Sequence, residues 1–247
     1  MSQSHWVYGY HTLHAALSVR PDDIDVLYLQ IRRDDDRLTQ LQTLAKEAGV
    51  AVSRLSANHL SQLVGDDVVH QGMVACCHRA WEWHETDLLA LLASQASPLV
   101  LILDSLQDPH NLGACMRSAN AFVACAVIAP KNRAVSLTPT AKKIACGAAD
   151  LTPFISVTNL ARTLSDLQQA GLWLVGTDDQ ADETIDRIDL TGPIGIVMGN
   201  EGQGMRRLVR ERCDFLARID LPGDVSSLNV SVATGIALYE ARRQRVS

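Results

Sequence analysis

From Pro98 onward, short runs of consecutive apolar residues alternate with longer stretches in which apolar side chains recur every three or four positions. The runs fall at 99–103, 125–129, 153–157, 172–175, 195–198 and 216–219. Apolar runs of this length predict strands buried on both faces. The periodic stretches, at 112–121, 140–149, 159–170, 205–212 and from about 228 to 243, predict helices. Strand and helix in alternation predict an α/β domain built on a parallel sheet with helices on both faces. Such sheets bind ligands beyond the carboxyl ends of their strands, so the loops after the strands are where chemistry is expected.

The first 77 residues mix shorter elements. The segment 7–17 carries apolar positions at helical spacing after a glycine, 24–29 is rich in strand formers, and 36–48 places Leu38, Leu41, Leu44 and Ala45 on one helical face with Gly49 as its C-cap. Strands at 50–55 and 72–77 and a short helix at 57–64 complete a small α/β sandwich. Residues 78–96 are polar and aromatic at first and read as a linker running into a short helix at 87–92. The expected domains are therefore 1–77 and 97–247, joined by 78–96.

Composition narrows the class. The chain has 247 residues, 47% hydrophobic and 20% charged, which excludes a disordered chain, a collagen and a coiled coil. No apolar run approaches the roughly 18 to 20 residues of a membrane span, and the N-terminus lacks a basic start and an apolar segment, so no signal peptide is expected. The six cysteines sit mostly in apolar settings and are expected to be free thiols of a cytoplasmic protein. A net charge of −6 argues against nucleic-acid binding by bulk charge, so any such contacts must be few and local. The candidate cation clusters are Arg32–Arg33, Lys131 with Arg133, Lys142–Lys143, and Arg206, Arg207 and Arg210.

Three segments at strand ends carry candidate chemistry. In the first, around Asp108-Pro-His-Asn-Leu-Gly113, Asn111 is a natural helix cap. Arg117, among small apolar neighbours, points to a site or an interface, or else makes a surface salt bridge, while His110 sits in a tight turn and suits a structural role. In the second, Met198-Gly-Asn-Glu-Gly-Gln-Gly-Met205, glycines permit a sharp turn and close approach of a ligand, and Glu201 needs a partner or a task. It is neither the dinucleotide fingerprint nor a phosphate-binding P-loop. In the third, Ser227, Leu228, Asn229 and Ser231 crowd polar groups into the first turn of an otherwise apolar helix, where Ser226 or Ser227 is the expected cap. The arginines at its far end, Arg242, Arg243 and Arg245, suit the helix dipole or a phosphate contact. Cys76, Cys77, His78 and His84 do not match zinc spacing, and no metal is expected.

Taken together, these three segments resemble the three motifs of the SpoU branch of the SPOUT, or trefoil-knot, RNA methyltransferases over roughly residues 98–243. Tyr8-Gly-Tyr-His11 and His70-Gln-Gly-Met-Val-Ala75 resemble the L30e-like substrate-binding domain of the same branch. The resemblance implies a knotted methyltransferase domain, although chain knots are rare exceptions. It implies S-adenosylmethionine as methyl donor, held by Gly199, Ile219 and Leu228. The catalytic set it implies is Arg117 with Asn111, Glu201, Ser227 and Asn229, and spacers such as Ser105, Asn200 and Gln203 fall outside it. It further implies a homodimer with a site at the subunit interface, and 2′-O-methylation of a guanosine ribose in 23S ribosomal RNA, in the peptidyl-transferase region. Transfer RNA as substrate, or a non-catalytic RNA-binding assembly factor, are the competing expectations. A dehydrogenase is disfavoured, because an early glycine-rich fingerprint is absent.

Overall fold

The computed structural model describes residues 5–31, 33, 35–66, 68–78, 81–200 and 202–246. The chain forms two compact units, Met1–Trp83 and His84–Ser247.

In the first unit, β1 (His5–Tyr8), α1 (Tyr10–Val19), β2 (Ile24–Gln30), α2 (Asp36–Glu47), β3 (Ala51–Leu55), α3 (Ala57–Val64) and β4 (Met73–Cys77) follow in order. The four-stranded sheet has the order β1-β4-β2-β3, with β2 and β3 parallel and the other pairs antiparallel. Leu13, Ala16 and Leu17 of α1 and Leu38, Leu41 and Ala45 of α2 close over Leu27, Leu29, Met73 and Ala75 of the sheet. The segment expected to be one helical pattern from residue 7 is divided. Gly9 adopts φ 85, which glycine tolerates, and ends a strand on one side while a helix begins on the other. Asp35 caps α2 by accepting from the Leu38 amide at 3.0 Å.

The second unit continues with α4 (Leu88–Ala93), β5 (Leu99–Leu103), α5 (Pro109–Ala121), β6 (Ala126–Pro130), α6 (Pro139–Ile144), α7 (Ala148–Leu151), β7 (Phe154–Val157), α8 (Leu160–Gln169) and β8 (Trp173–Thr177). After these come β9 (Glu183–Thr184), β10 (Ile194–Met198), α9 (Arg207–Arg210), β11 (Phe215–Arg218) and α10 (Val230–Val246). Its seven strands run β7-β6-β5-β10-β8-β11-β9, and every pairing is parallel. All residues of β5, β6 and β10 are buried, as their unbroken apolar runs require. The helix expected over 140–149 is broken in two, because Cys146 (φ 50) and Gly147 (φ 84) are both left-handed.

The segment expected to be a linker is shared between the units. Trp81 belongs to the first, with the Arg20 guanidinium 4.5 Å above its ring. Glu85 belongs to the second, accepting from the Thr158 amide at 3.1 Å and from the Thr163 hydroxyl at 3.3 Å. At the far end of α10, Arg243 pairs with Glu240 at 2.7 Å. Arg245 donates to the carbonyls of Leu190 and Ser97 at 2.9 Å and of Gly192 at 2.6 Å. These two arginines are thus committed to the fold rather than to phosphate.

Candidate active site

The carboxyl ends of β8, β10 and β11 open on a cavity of about 450 Å³, within the range of small-molecule sites. Its walls include Gly199, Ile219, Ser227 and Leu228, together with Met198 and Met205. The loop after β10 folds back on itself. The Asn200 amide donates to the Gly204 carbonyl at 3.0 Å, and the Gly204 amide returns a bond to the Asn200 carbonyl at 2.8 Å. Gly204 sits at φ 62. A side chain at Gly199 would bring its Cβ within 2.3 Å of the Gly204 carbonyl carbon and 2.4 Å of the Met205 amide nitrogen. Glycine at 199 is therefore dictated by packing of the loop against itself.

The residues present fit an adenosyl group. The cavity combines half-buried Ile219 and Leu228 and the thioethers of Met198 and Met205 with loop backbone and the Ser227 hydroxyl. Apolar walls with a few convergent polar groups are the usual make-up of a nucleoside pocket. At the rim, Arg210 Nε lies 2.6 Å from Asp178 Oδ2. Burial alone would raise the Asp178 carboxyl, but hydrogen bonds from Arg210 and the Gln180 amide, with the Arg210 charge, hold it below its ordinary value. The same pairing raises Arg210. Nearby, burial and then the charge of Asp214 push the Cys213 thiol up to about 12, so it stays protonated near neutral pH. Among the described residues, no group of three His, Cys, Asp or Glu side chains is placed to hold a metal ion. No helix among them is long and apolar enough to cross a membrane.

The motif residues of α5 and α10 meet beside this cavity. Asn111 is buried in the first turn of α5, and its Oδ1 accepts from Asn229 Nδ2 at 3.1 Å. Below them, Cys115 Sγ contacts Thr234 Oγ1 at 3.5 Å. The capping roles differ from those expected. Pro109 starts α5 and Asp108 caps it, accepting from the His110 amide at 2.9 Å, while the Asn111 side chain contacts α10. Asn229, not Ser226 or Ser227, caps α10 by accepting from the Ser231 amide at 3.0 Å. Ser226 and Ser227 precede the helix and line the cavity instead.

Arg117 lies on α5 with an exposed side chain and does not line the cavity. Its Nη1 approaches Cys146 Sγ at 3.7 Å. Glu201 lies outside the described residues. Sequence reasoning missed Asp104, a fully buried carboxylate at the end of β5 that binds Arg206, and treated Ser105 and Asn200 as spacers although Asn200 Nδ2 donates to the Ser105 carbonyl at 3.1 Å. A charged residue closing a wholly apolar strand was the available signal. The cluster Arg206, Arg207 and Arg210 is also less available than expected, each being paired with a carboxylate, of Asp104, Glu211 and Asp178.

Comparison with known proteins agrees with this architecture. Residues 98–239 match the SpoU rRNA Methylase family, and residues 6–82 match the RNA 2′-O ribose methyltransferase substrate-binding family. The 23S rRNA (guanosine-2′-O-)-methyltransferase RlmB of Coxiella burnetii is 54% identical over 246 residues, covering 99% of this chain and 98% of that protein. The protein of the same name from Escherichia coli K12 is 48% identical over 242 residues, covering 98% and 99%. Among solved structures, the SpoU methyltransferase AviRb from Streptomyces viridochromogenes in complex with AdoMet shares the fold, with a TM-score of 0.60 at 24% identity over 98% of this chain and 91% of that one. With both units matched and identity near one half over the full length, the chain belongs to the SpoU rRNA methylase family.

Proposed function

We propose that the protein transfers a methyl group from S-adenosylmethionine to the 2′-hydroxyl of a guanosine in 23S ribosomal RNA, as a cytoplasmic homodimer. The observation that carries this reading is the near-complete, two-unit match to proteins of that named activity at 48% and 54% identity. The donor, when bound, supplies an electrophilic methyl on a sulfonium, so the reaction needs orientation more than Lewis-acid help. Gly199, Ile219 and Leu228 hold the nucleoside part. Asn111, Ser227 and Asn229, with Glu201, orient the ribose and the arginine that polarises it. The Arg117 guanidinium offers donors and no acceptor, so it acts by binding the target phosphate and ribose while the proton leaves through phosphate or water.

The exposure of Arg117 outside its own cavity supports delivery from a second copy. An apolar stripe on α10, Val232, Ile236 and Tyr239 at 51%, 37% and 55% exposure, has the helical spacing of an interface face. Replacing Ile236 by Asp should yield monomers in sedimentation with loss of turnover; a monomeric, fully active parent protein would count against the dimer. The substrate is tested by mapping 2′-O-methyl positions in ribosomal RNA from cells with and without the protein. Methylation of purified transfer RNA in preference to 23S fragments would overturn the assignment.

A further inference from the structure

The buried carboxylate at the end of β5 has no part in the reading above. Asp104 is 1% exposed. Its Oδ2 accepts from the backbone amide of Arg206 at 2.7 Å, and its Oδ1 accepts from Arg206 Nε at 2.7 Å and lies 2.6 Å from Arg206 Nη2. The Ser105 hydroxyl donates to the same Oδ1 at 3.1 Å. Its own amide donates to the Met198 carbonyl at 2.8 Å, which fixes Asp104 to the last residue of β10. A charge this deep persists only when its lone pairs are matched, and here both oxygens are occupied.

What the carboxylate grips is the return leg of the loop after β10. Arg206 directly follows Met205, which lines the cavity and whose amide nitrogen presses on Gly199. The outgoing leg is held by the neighbouring residue, since Asn200 Nδ2 donates to the Ser105 carbonyl. Two consecutive residues at the end of β5 thus hold both legs of one loop. Ser105 takes φ 63 to do so, a left-handed conformation that a side chain adopts only when its surroundings hold it there.

We propose that Asp104 is a positioning residue for the methyl donor, acting through Arg206 to hold the loop after β10 in its binding shape before the donor arrives. Arg206 on this account is a structural cation and not an RNA contact. The inference rests on the cavity being the donor site. A pre-shaped loop saves the ordering cost that binding would otherwise meet.

The test uses the full-length protein and three variants, Asp104→Asn, Arg206→Ala and Arg206→Lys. S-adenosylmethionine is titrated calorimetrically, and amide hydrogen exchange is followed without it. The expected result is a donor dissociation constant raised roughly 10- to 100-fold in Asp104→Asn and Arg206→Ala, with faster exchange in the loop after β10 and unchanged exchange in β5 and β6. Arg206→Lys should fall between them and the parent, since it keeps the charge and loses the fork. At saturating donor, kcat should recover while KM for the donor stays high. Should Asp104→Asn fail to fold, Arg206→Ala decides the matter, because its side chain is partly exposed and its removal leaves the position-206 amide in place. Parent-like donor affinity and loop exchange in Arg206→Ala would overturn the proposal. No heat from the parent protein itself would instead overturn the cavity's assignment, while loop exchange would still report on the latch.

Discussion

Asn229 Nδ2 and Asn111 Oδ1 meet at 3.1 Å although 118 residues separate them, and this bond ties the first turn of α5 to the first turn of α10. Asn229 has a second duty in the same side chain, because its Oδ1 accepts from the Ser231 amide and hydroxyl. The two duties can be separated. Asn229→Asp keeps the cap but cannot donate to Asn111, so stability should hold while kcat falls by about one to two orders of magnitude. Asn229→Ala loses both and should also be destabilised by about 1 kcal/mol. Thermal melts beside single-turnover rates check the pair.

Arg117→Ala should abolish methyl transfer while leaving donor binding at the parent value, since Arg117 does not line the cavity. Calorimetric titration and a radiolabelled methyl-transfer assay on the same preparation decide it. Full activity in this variant would remove Arg117 from the mechanism.

How much of this was legible beforehand depends on how local the cause is. The strands β5, β6 and β10 are buried on both faces, so their apolar runs are visible in any short window. The strand β1 was hidden because its side chains continue the apolar pattern of α1, and only the conformation of Gly9 divides them. Two-residue β9 carries too little pattern to read. At the site, Gly199 shows as a strand-end glycine, while Leu228 is reached only through the motif resemblance. Asp104 shows as a lone charge closing an apolar strand, but its partner does not, because Arg206 is 102 residues away and only the sheet order brings them together. The early start of α5 follows from Asp108 and Pro109 acting as a cap and first residue, a pairing that outranks Asn111 three positions later.

Gly113 lets α5 and α6 approach closely in the second unit. A Cβ there would lie 2.5 Å from the Ala141 carbonyl oxygen and 2.7 Å from Ile144 Cβ. Gly113→Ala should therefore push α6 off α5 and cost about 1–3 kcal/mol, read as a fall of several degrees in Tm at roughly 2–4 °C per kcal/mol. An unchanged melt would show that α6 relaxes freely.

The Asp178–Arg210 pair makes a pH prediction with a definite sign. Asp178 is held below its ordinary value of 3.8 in the folded protein. Its contribution to stability is therefore fully present above that value and is lost as pH falls through the lower, folded one. The gap in Tm between the parent and Asp178→Asn should be constant near neutrality and close in acid. A gap that widens as pH falls would contradict this.

RNA binding should be weak and salt-sensitive. Lys142 and Lys143 on α6 are exposed and make no ion pair with a described carboxylate, unlike Arg206 and Arg210. Replacing both lysines by alanine should lower the slope of log Kd against log salt by roughly one to two, measured by filter binding to a 23S fragment. Affinity indifferent to salt in the parent protein would refute the expectation.

The guanidinium of Arg245, which reaches Ser97 and the loop around Leu190 and Gly192, has a consequence for biosynthesis. The entrance to β5, the third strand of its sheet, is secured by a side chain 148 residues beyond Ser97. The second unit therefore lacks this clasp until synthesis has passed Arg245. The first unit, complete by Trp83, is free to fold on the ribosome while the rest is still being made.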